Sequence, residues 1–283
     1  MTVCVGVSVY DGLVFAADSA SSIVETDSSG RSIVSNVYRH GNKVFNLVRR
    51  RPLVSMTCGM GNFGHAPIAA LSKDLRHLFG DTESPFHING DSYTVGDVAK
   101  KAKDFFAARY ASVTPAPKPP HSFQYWVGGF SSNSEQAEVW RIDMENGDFK
   151  EPAEQFPGSG SFLVWGGQPE AISRLVLGYS PLVENALARY GLNETQISEV
   201  FSEFQRDTSP SAMVNASMPI QDAIELAEFL VDTTKRFVRF LPGADTVGGD
   251  TDIAVVTRHE RFKWIKRKHY YPAHLNVLET DHV

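Results

Sequence analysis

The chain has 283 residues, of which 42% are hydrophobic and 21% charged, and its formal net charge is −6 at pH 7. These values are ordinary for a globular protein with a large core, and the negative charge gives no reason to expect a nucleic-acid partner. No run approaches the roughly 18 apolar residues that cross a bilayer, and the N-terminus lacks the basic segment of a signal peptide. We therefore expect a cytoplasmic protein with no membrane partner.

Neither the cysteines nor the histidines form the pattern of a metal site or a disulfide framework. Cys4 and Cys58 lie inside apolar segments, as small core residues do. His259, His269 and His274 share no spacing that is typical of metal ligands. We therefore expect no metal and no cofactor.

Alternating apolar residues predict antiparallel hairpins, and apolar residues at helical spacing predict helices between them. Residues 19–41 are rich in Ser, Gly and Asn, which favours a loop or an irregular hairpin, and residues 206–218 are expected to form a polar loop. The grouping of strands and helices favours an α+β fold over a βαβ alternation, and one domain over residues 1–283. The predicted strands cover 3–9, 13–17, 43–47, 53–57, 123–130, 137–142, 162–165, 252–257 and 261–265, and the predicted helices 68–78, 94–110, 169–177, 182–190, 196–204 and 219–231.

Six lysines and arginines lie between residues 258 and 268, interleaved with Phe262, Trp264 and Ile265. An anionic partner is one interpretation of such a run. The alternation with apolar residues favours the other interpretation, a strand with one solvated basic face.

The second residue, Thr2, stands directly before the first predicted strand. Methionine aminopeptidase removes an initiator methionine when the next residue is as small as threonine. The mature chain would then carry a nucleophilic hydroxyl and a basic α-amine on one residue, which is a recognised way to activate a hydroxyl. The alternative is an ordinary start site at which threonine suits the strand.

Several motifs resemble those of proteasome β-type subunits. Residues 2–19 combine an N-terminal threonine, an alternating strand, an Asp-Gly turn and a closing Ala-Asp-Ser. Asn-Lys-Val at 42–44 resembles the family's second catalytic strand, and Cys-Gly-Met-Gly at 58–61 its glycine turn. Segments 123–129, 219–231, 247–249 and 252–257 resemble its middle strand, last helix and closing hairpin.

The resemblance implies the four-layer αββα sandwich of N-terminal nucleophile hydrolases and a threonine-type endopeptidase that cleaves polypeptide substrates. It covers residues 2 to about 265 and leaves 266–283 as a C-terminal extension. The length and this extension are most like the self-standing bacterial proteasome homologues, and homo-oligomeric stacked rings, with seven subunits in each ring, are expected. An unfolding ATPase partner is not identified.

The resemblance also assigns roles to individual residues. Thr2 is the nucleophile, Lys43 matches the family's catalytic lysine and Asp18 its aspartate, while the backbone N–H of Gly59 donates to the developing oxyanion. The structural alternatives are an Asx turn at Asp18, a solvated surface side chain at Lys43 and a tight turn at Gly59. Positions of the substrate pocket are assigned to Ser21, Phe45, Thr57 and Gly61.

The chain departs from the family's pattern at three points. The family's supporting serine corresponds either to Ser159, within Gly-Ser-Gly at 158–160, or to the region of Gly166 and Gly167, eight residues later. Asp245 is one position out of register with the family's second aspartate, and Val247 stands where a serine is expected. These changes put the rate in question more than the mechanism.

Two alternative functions stay open. A non-catalytic assembly subunit of a proteasome-like ring would keep the strands but would not need Thr2, Asp18 and Lys43 together. An N-terminal nucleophile amidase acting on small amides would more often carry Cys or Ser at the N-terminus.

Overall fold

A computed structural model of the chain describes residues 2–26, 32–90, 92–117, 119–208 and 213–268. The strands are β1 Val3–Val9, β2 Gly12–Ala17, β3 Ser21–Thr26, β4 Ser32–Tyr38, β5 Val44–Asn46, β6 Leu53–Gly59, β7 Asn62–Phe63, β8 Ala66–Pro67, β9 Ser122–Phe130, β10 Ala137–Glu145, β11 Asp148–Phe149, β12 Ala153–Glu154, β13 Phe162–Gly167, β14 Asp252–Thr257 and β15 Arg261–Lys266. The helices are α1 Ile68–Gly80, α2 Val95–Ala111, α3 Glu170–Leu177, α4 Val183–Arg189, α5 Glu194–Thr208 and α6 Ile220–Arg239.

Two antiparallel sheets form the centre of the molecule. The first has five strands in the order β13-β1-β2-β14-β15, and the second follows the order β11-β10-β9-β6-β5, with β12 also paired to β10. The predicted hairpins are present as β1–β2, β5–β6, β9–β10 and β14–β15. The chain therefore has a mixed α+β fold, as the sequence pattern predicts.

Three apolar clusters separate the layers of helix and sheet. One lies between the first sheet and helices α3 and α6, another between the two sheets, and the third between the second sheet and helices α1 and α2. Strand β1 belongs to two of them, because Val3, Val5 and Val7 pack toward α6 while Cys4 faces the second sheet. Burial on both faces explains why this strand is almost continuously apolar.

Gly6 and Gly128 leave room for the Phe15 ring between the two sheets. A Cβ atom at Gly128 on β9 would lie 2.6 Å from Leu13 Cδ2 and 2.7 Å from Phe15 Cζ, and one at Gly6 on β1 would lie 3.0 Å from the Phe15 ring. The Phe15 ring therefore fills space between the sheets that a larger side chain at either position would need.

The structure sharpens two of the expected loops. The Ser-rich region 19–41 forms the β3–β4 hairpin, which pairs Ser21 with Tyr38, although residues 27–31 lie outside the described part. The polar loop expected at 206–218 starts later, because α5 continues to Thr208. Residues 209–212 also lie outside the described part of the chain. Each predicted helix is present, and α2 begins where Thr94 accepts a hydrogen bond from the Asp97 N–H.

Candidate active site

Four residues that the family resemblance singles out come together at one end of the two sheets. Thr2 immediately precedes β1, and Asp18 immediately follows β2, in a register that pairs Cys4 with Ala17. Lys43 immediately precedes β5, and Gly59 ends the neighbouring strand β6. The hairpins of both sheets therefore deliver these residues to the same edge of the molecule, although they are far apart in sequence.

The carboxylate of Asp18 is fully buried and accepts four hydrogen bonds. Its Oδ1 accepts from the Val3 N–H at 3.0 Å and from Lys43 Nζ at 2.7 Å. Its Oδ2 accepts from the Ala20 N–H at 3.1 Å and from the Gly248 N–H at 2.9 Å. The contact with Ala20 has the two-residue spacing of an Asx turn, so the turn and the ion pair occur together. All four partners are donors, which fits an ionised carboxylate.

Lys43 forms a buried ion pair with Asp18 and also reaches a cleft. Its side chain is 8% exposed and lies 2.7 Å from the carboxylate. Its carbonyl oxygen accepts a hydrogen bond from the Thr57 N–H at 2.9 Å, which fixes the backbone at the entry to β5. Lysine side chains are almost never fully buried unless they are paired. The burial of Lys43 against Asp18 therefore does not support the alternative of a solvated lysine.

The cleft has a volume of about 140 Å³, and Thr2, Lys43 and Gly59 all line it. Thr2 is 4% exposed. Its carbonyl oxygen accepts a hydrogen bond from the Gln168 N–H at 2.7 Å. Thr2, Lys43 and the glycine turn therefore border one small cleft.

The backbone conformation and the surroundings of residue 59 require a glycine. Its φ is +91°, and a Cβ atom there would lie 2.4 Å from the carbonyl oxygen of Ser122. The next residue, Met60, donates its N–H to that same oxygen at 2.8 Å. The tight turn is therefore real, and it places the backbone of Gly59 on the wall of the cleft beside Thr2.

Three of the four predicted pocket residues line this cleft, namely Ser21, Thr57 and Gly61. The fourth, Phe45, does not line it. Phe45 pairs with Ser55, two residues before Thr57 on β6, and packs in the cluster under helices α1 and α2.

The structure does not bring Ser159 to the site. Strand β13 runs antiparallel to β1, so Phe162 pairs with Ser8 and Gly167 pairs with Val3. Ser159 precedes Phe162 and therefore lies at the opposite end of the sheet from Thr2, where its hydroxyl donates to the Ser161 carbonyl at 2.7 Å. Of the two alternatives, the Gly166–Gly167 region is the one that adjoins Thr2. A Cβ atom at Gly167 would lie 1.9 Å from the Thr2 carbonyl oxygen.

Asp245 lies beside the supporting loop and does not line the cleft. It faces Arg39 at 3.7 Å, and within the described part of the chain its buried Oδ1 has no hydrogen-bond partner. It is two residues from Val247, the neighbour of the Gly248 N–H that supports Asp18. The residue that reaches Asp18 from this loop is therefore Gly248, through its backbone.

Two other titratable groups near the sheets are poor candidates for a base or nucleophile. Burial raises the pKa of the Cys4 thiol well above its usual value, and its Sγ donates to the Thr57 carbonyl at 3.3 Å. Burial also raises the pKa of Tyr125 to about 12, and this hydroxyl lies 2.8 Å from Ser55 Oγ on the helix side of the second sheet. Both groups stay protonated near neutral pH.

Sequence reasoning missed a second buried ion pair next to the site. Lys268, which we expected on a solvated basic face, is buried and contacts the carboxylate of Asp252 and the hydroxyl of Ser19. The residues of the basic run whose side chains are exposed, such as Lys266, fit the expected solvated basic face. The sequence signal for this pair was Asp252, a carboxylate at the start of an apolar strand. A carboxylate that is buried there needs a cation as its partner.

The described residues contain no cluster of three or more His, Cys, Asp or Glu side chains arranged to hold a metal ion. Among them, no helix combines the length and the apolar character needed to traverse a bilayer.

Comparison with known proteins finds a match in structure but not in sequence. No family model and no curated protein matches the chain. Among solved structures, the Gly-1 mutant of Anbu from Hyphomicrobium sp. strain MC1 superposes with a TM-score of 0.52 at 15% sequence identity. The match covers 95% of this chain and 86% of that one. The chain therefore shares the fold of Anbu over nearly its whole length.

Proposed function

We propose that this protein is a threonine-type endopeptidase of the proteasome-like, N-terminal nucleophile kind. The buried Asp18–Lys43 ion pair, which borders the same cleft as Thr2, is the observation that carries the proposal. The structural neighbour Anbu is a proteasome-like N-terminal nucleophile protein, and the three apolar clusters agree with a four-layer αββα sandwich of that type.

The reaction would follow from the residues that line the cleft. After removal of Met1, Thr2 Oγ attacks a peptide carbonyl carbon, and its proton passes to the α-amine of Thr2 directly or through a water molecule. The tetrahedral intermediate breaks its C–N bond, and the amine leaves with that proton. Water then hydrolyses the ester and restores the hydroxyl.

Lys43 and Gly59 would stabilise the charges that develop in this reaction. The Lys43 ammonium favours deprotonated forms of the neighbouring hydroxyl and amine. The Gly59 N–H is the candidate donor to the oxyanion, in a small cleft where such a donor is effective. Asp18, held by three backbone N–H groups, fixes the position of Lys43.

The decisive experiment is covalent labelling of the purified protein combined with intact mass. A peptide electrophile that requires both a hydroxyl and a free α-amine should add once for each chain, and peptide mapping should place the adduct on Thr2. The mass should also show that Met1 is absent. Fully retained Met1 in protein that cleaves peptides would overturn the mechanism, and cleavage without labelling of Thr2 would favour another nucleophile.

We further propose that the protein acts in the cytoplasm as a homo-oligomer of stacked rings, with seven subunits in each ring, on polypeptide substrates. Exposed apolar side chains on the β3–β4 hairpin, including Ile23, Val24, Ile33 and Tyr38, support an assembly because such patches mark protein contacts. Light scattering coupled to size exclusion should give a mass that is a multiple of seven chains. A monomer that retains full peptidase activity would contradict the assembly.

The two alternatives are separable from the main proposal. A non-catalytic ring subunit would assemble but would not label at Thr2. An amidase would label at Thr2 but would hydrolyse small amides in preference to peptides that extend on both sides of the cleaved bond.

A further inference from the structure

Lys268 forms a second buried ion pair, which has no role in the proposed mechanism. It follows β15, and its side chain is 5% exposed while that of its partner Asp252 is 3% exposed. Its Nζ contacts Asp252 Oδ2, and its backbone N–H donates to Asp252 Oδ1 at 3.2 Å. The start of the C-terminal extension is therefore fixed to the head of β14 by both its backbone and its side chain.

A third partner connects this pair to the active site. Lys268 Nζ donates to the hydroxyl of Ser19 at 2.6 Å, and that hydroxyl donates to the Asp250 carbonyl at 2.5 Å. Ser19 is the residue after Asp18, and its N–H donates to the Gly248 carbonyl at 2.9 Å. Gly248 in turn donates its N–H to Asp18 Oδ2. A continuous series of contacts thus runs from Lys268 to the carboxylate that holds Lys43.

Stability gives little reason for such an arrangement. Desolvation of two buried charges offsets most of their attraction, and apolar side chains of similar volume often serve equally well. A cation at this point does, however, fix Ser19 and the loop at 248–250, and it sets the local charge behind Asp18. These are effects on geometry and electrostatics at the site.

We propose that Lys268 is a positioning residue for the Asp18–Lys43 pair, acting through Ser19 and the Gly248 loop. The proposal rests on the proposed function and gives the beginning of the C-terminal extension a part in it. Lys268 is not among the residues that line the cleft, so its effect on the reaction is indirect.

The test compares Lys268→Met with Lys266→Met, a control two residues earlier whose exposed side chain pairs with Glu228. We expect kcat/KM on a fluorogenic peptide to fall about tenfold in Lys268→Met, because the site loses its alignment, and to change little in Lys266→Met.

The pH dependence of Thr2 labelling supplies a readout that a purely structural role would not move. The charged groups around Lys268 are Asp252 and Asp250, the Asp232–Lys235 pair that meets Thr251, and the Asp18–Lys43 pair. Lys268→Met removes a positive charge while Asp252 stays negatively charged, and this change favours the protonated form of the Thr2 α-amine. The rising limb of the labelling rate should therefore move to higher pH by on the order of 0.5 unit.

Ser19→Ala tests the proposed route, since it deletes the link and leaves the Lys268–Asp252 pair intact. If Lys268 acts through Ser19, the double variant should be no slower than Lys268→Met by itself. A folded Lys268→Met protein with the wild-type rate and pH profile would overturn the proposal. If Lys268→Met does not fold, a wild-type rate and profile in Ser19→Ala overturns it instead.

The two proposals fail in different ways. Normal labelling of Thr2 in both wild type and Lys268→Met refutes the positioning role and leaves the proposed function standing. Absence of labelling in the wild type refutes both.

Discussion

Thr2→Ala should reduce peptidase activity by roughly 10⁴-fold or more, to the level of a blank. Alanine is also small enough for removal of Met1, so the variant keeps the α-amine and loses only the hydroxyl. The backbone contact between Thr2 and Gln168 is unaffected by the side chain, and the fold should be retained. Peptide hydrolysis under single-turnover conditions, with circular dichroism to check folding, measures the effect.

Two further variants make this result specific. Thr2→Ser restores a hydroxyl beside the amine and should recover measurable activity. Thr234→Ala removes another buried threonine hydroxyl, one that donates to the Leu230 carbonyl within α6, and should leave the activity near that of the wild type. Activity in Thr2→Ala equal to that of Thr234→Ala would remove Thr2 from the mechanism.

Asp18→Asn should inactivate the protein and lower its free energy of unfolding by about 3–5 kcal/mol, the cost of breaking a buried ion pair. The four partners of the carboxylate are all donors. An asparagine amide has the same shape, but its NH₂ group must face two of those donors and accepts nothing from them. Lys43 also keeps a buried charge without a carboxylate to balance it.

Asp232→Asn provides the matched control for this change. Asp232 pairs with Lys235, but its side chain is 40% exposed, so water replaces much of the lost interaction and the expected cost is below about 1 kcal/mol. Urea unfolding of both variants gives the comparison. Equal free energies of unfolding for Asp18→Asn and the wild type would show that the buried pair contributes nothing to stability.

The hairpins and helices could be predicted because their signals are local. The Asp-Gly turn between two apolar runs and the helical spacing in 219–231 depend on neighbouring residues, and both elements are present. How far along a strand the cleft extends was not predictable in the same way. The resemblance places Phe45 in the substrate pocket, whereas Phe45 packs under the helices outside the cleft, and only the pairing of β5 with β6 shows its position relative to Thr57.

The residues of the candidate site also differ in whether local sequence could predict them. Thr2, Asp18, Lys43 and Gly59 could be found because each stands in a short motif. The contact of Gly248 with Asp18 spans 230 positions, and that of Lys268 with Ser19 spans 249. Such contacts depend on the complete fold, and a lysine at the end of a basic run has the pattern of a solvated residue.

The support of Asp18 has a consequence for how far this sequence can diverge. Three of its four hydrogen-bond donors are main-chain amides, from Val3, Ala20 and Gly248, and Thr2 is held by the main chain of Gln168. Every residue except proline supplies such an amide. Mutations at these positions can therefore change the residue and keep the donor, as long as the strands keep their register. Natural variation can erase the sequence signature while the carboxylate stays in place, which fits a chain that matches a solved fold at 15% identity and no family model.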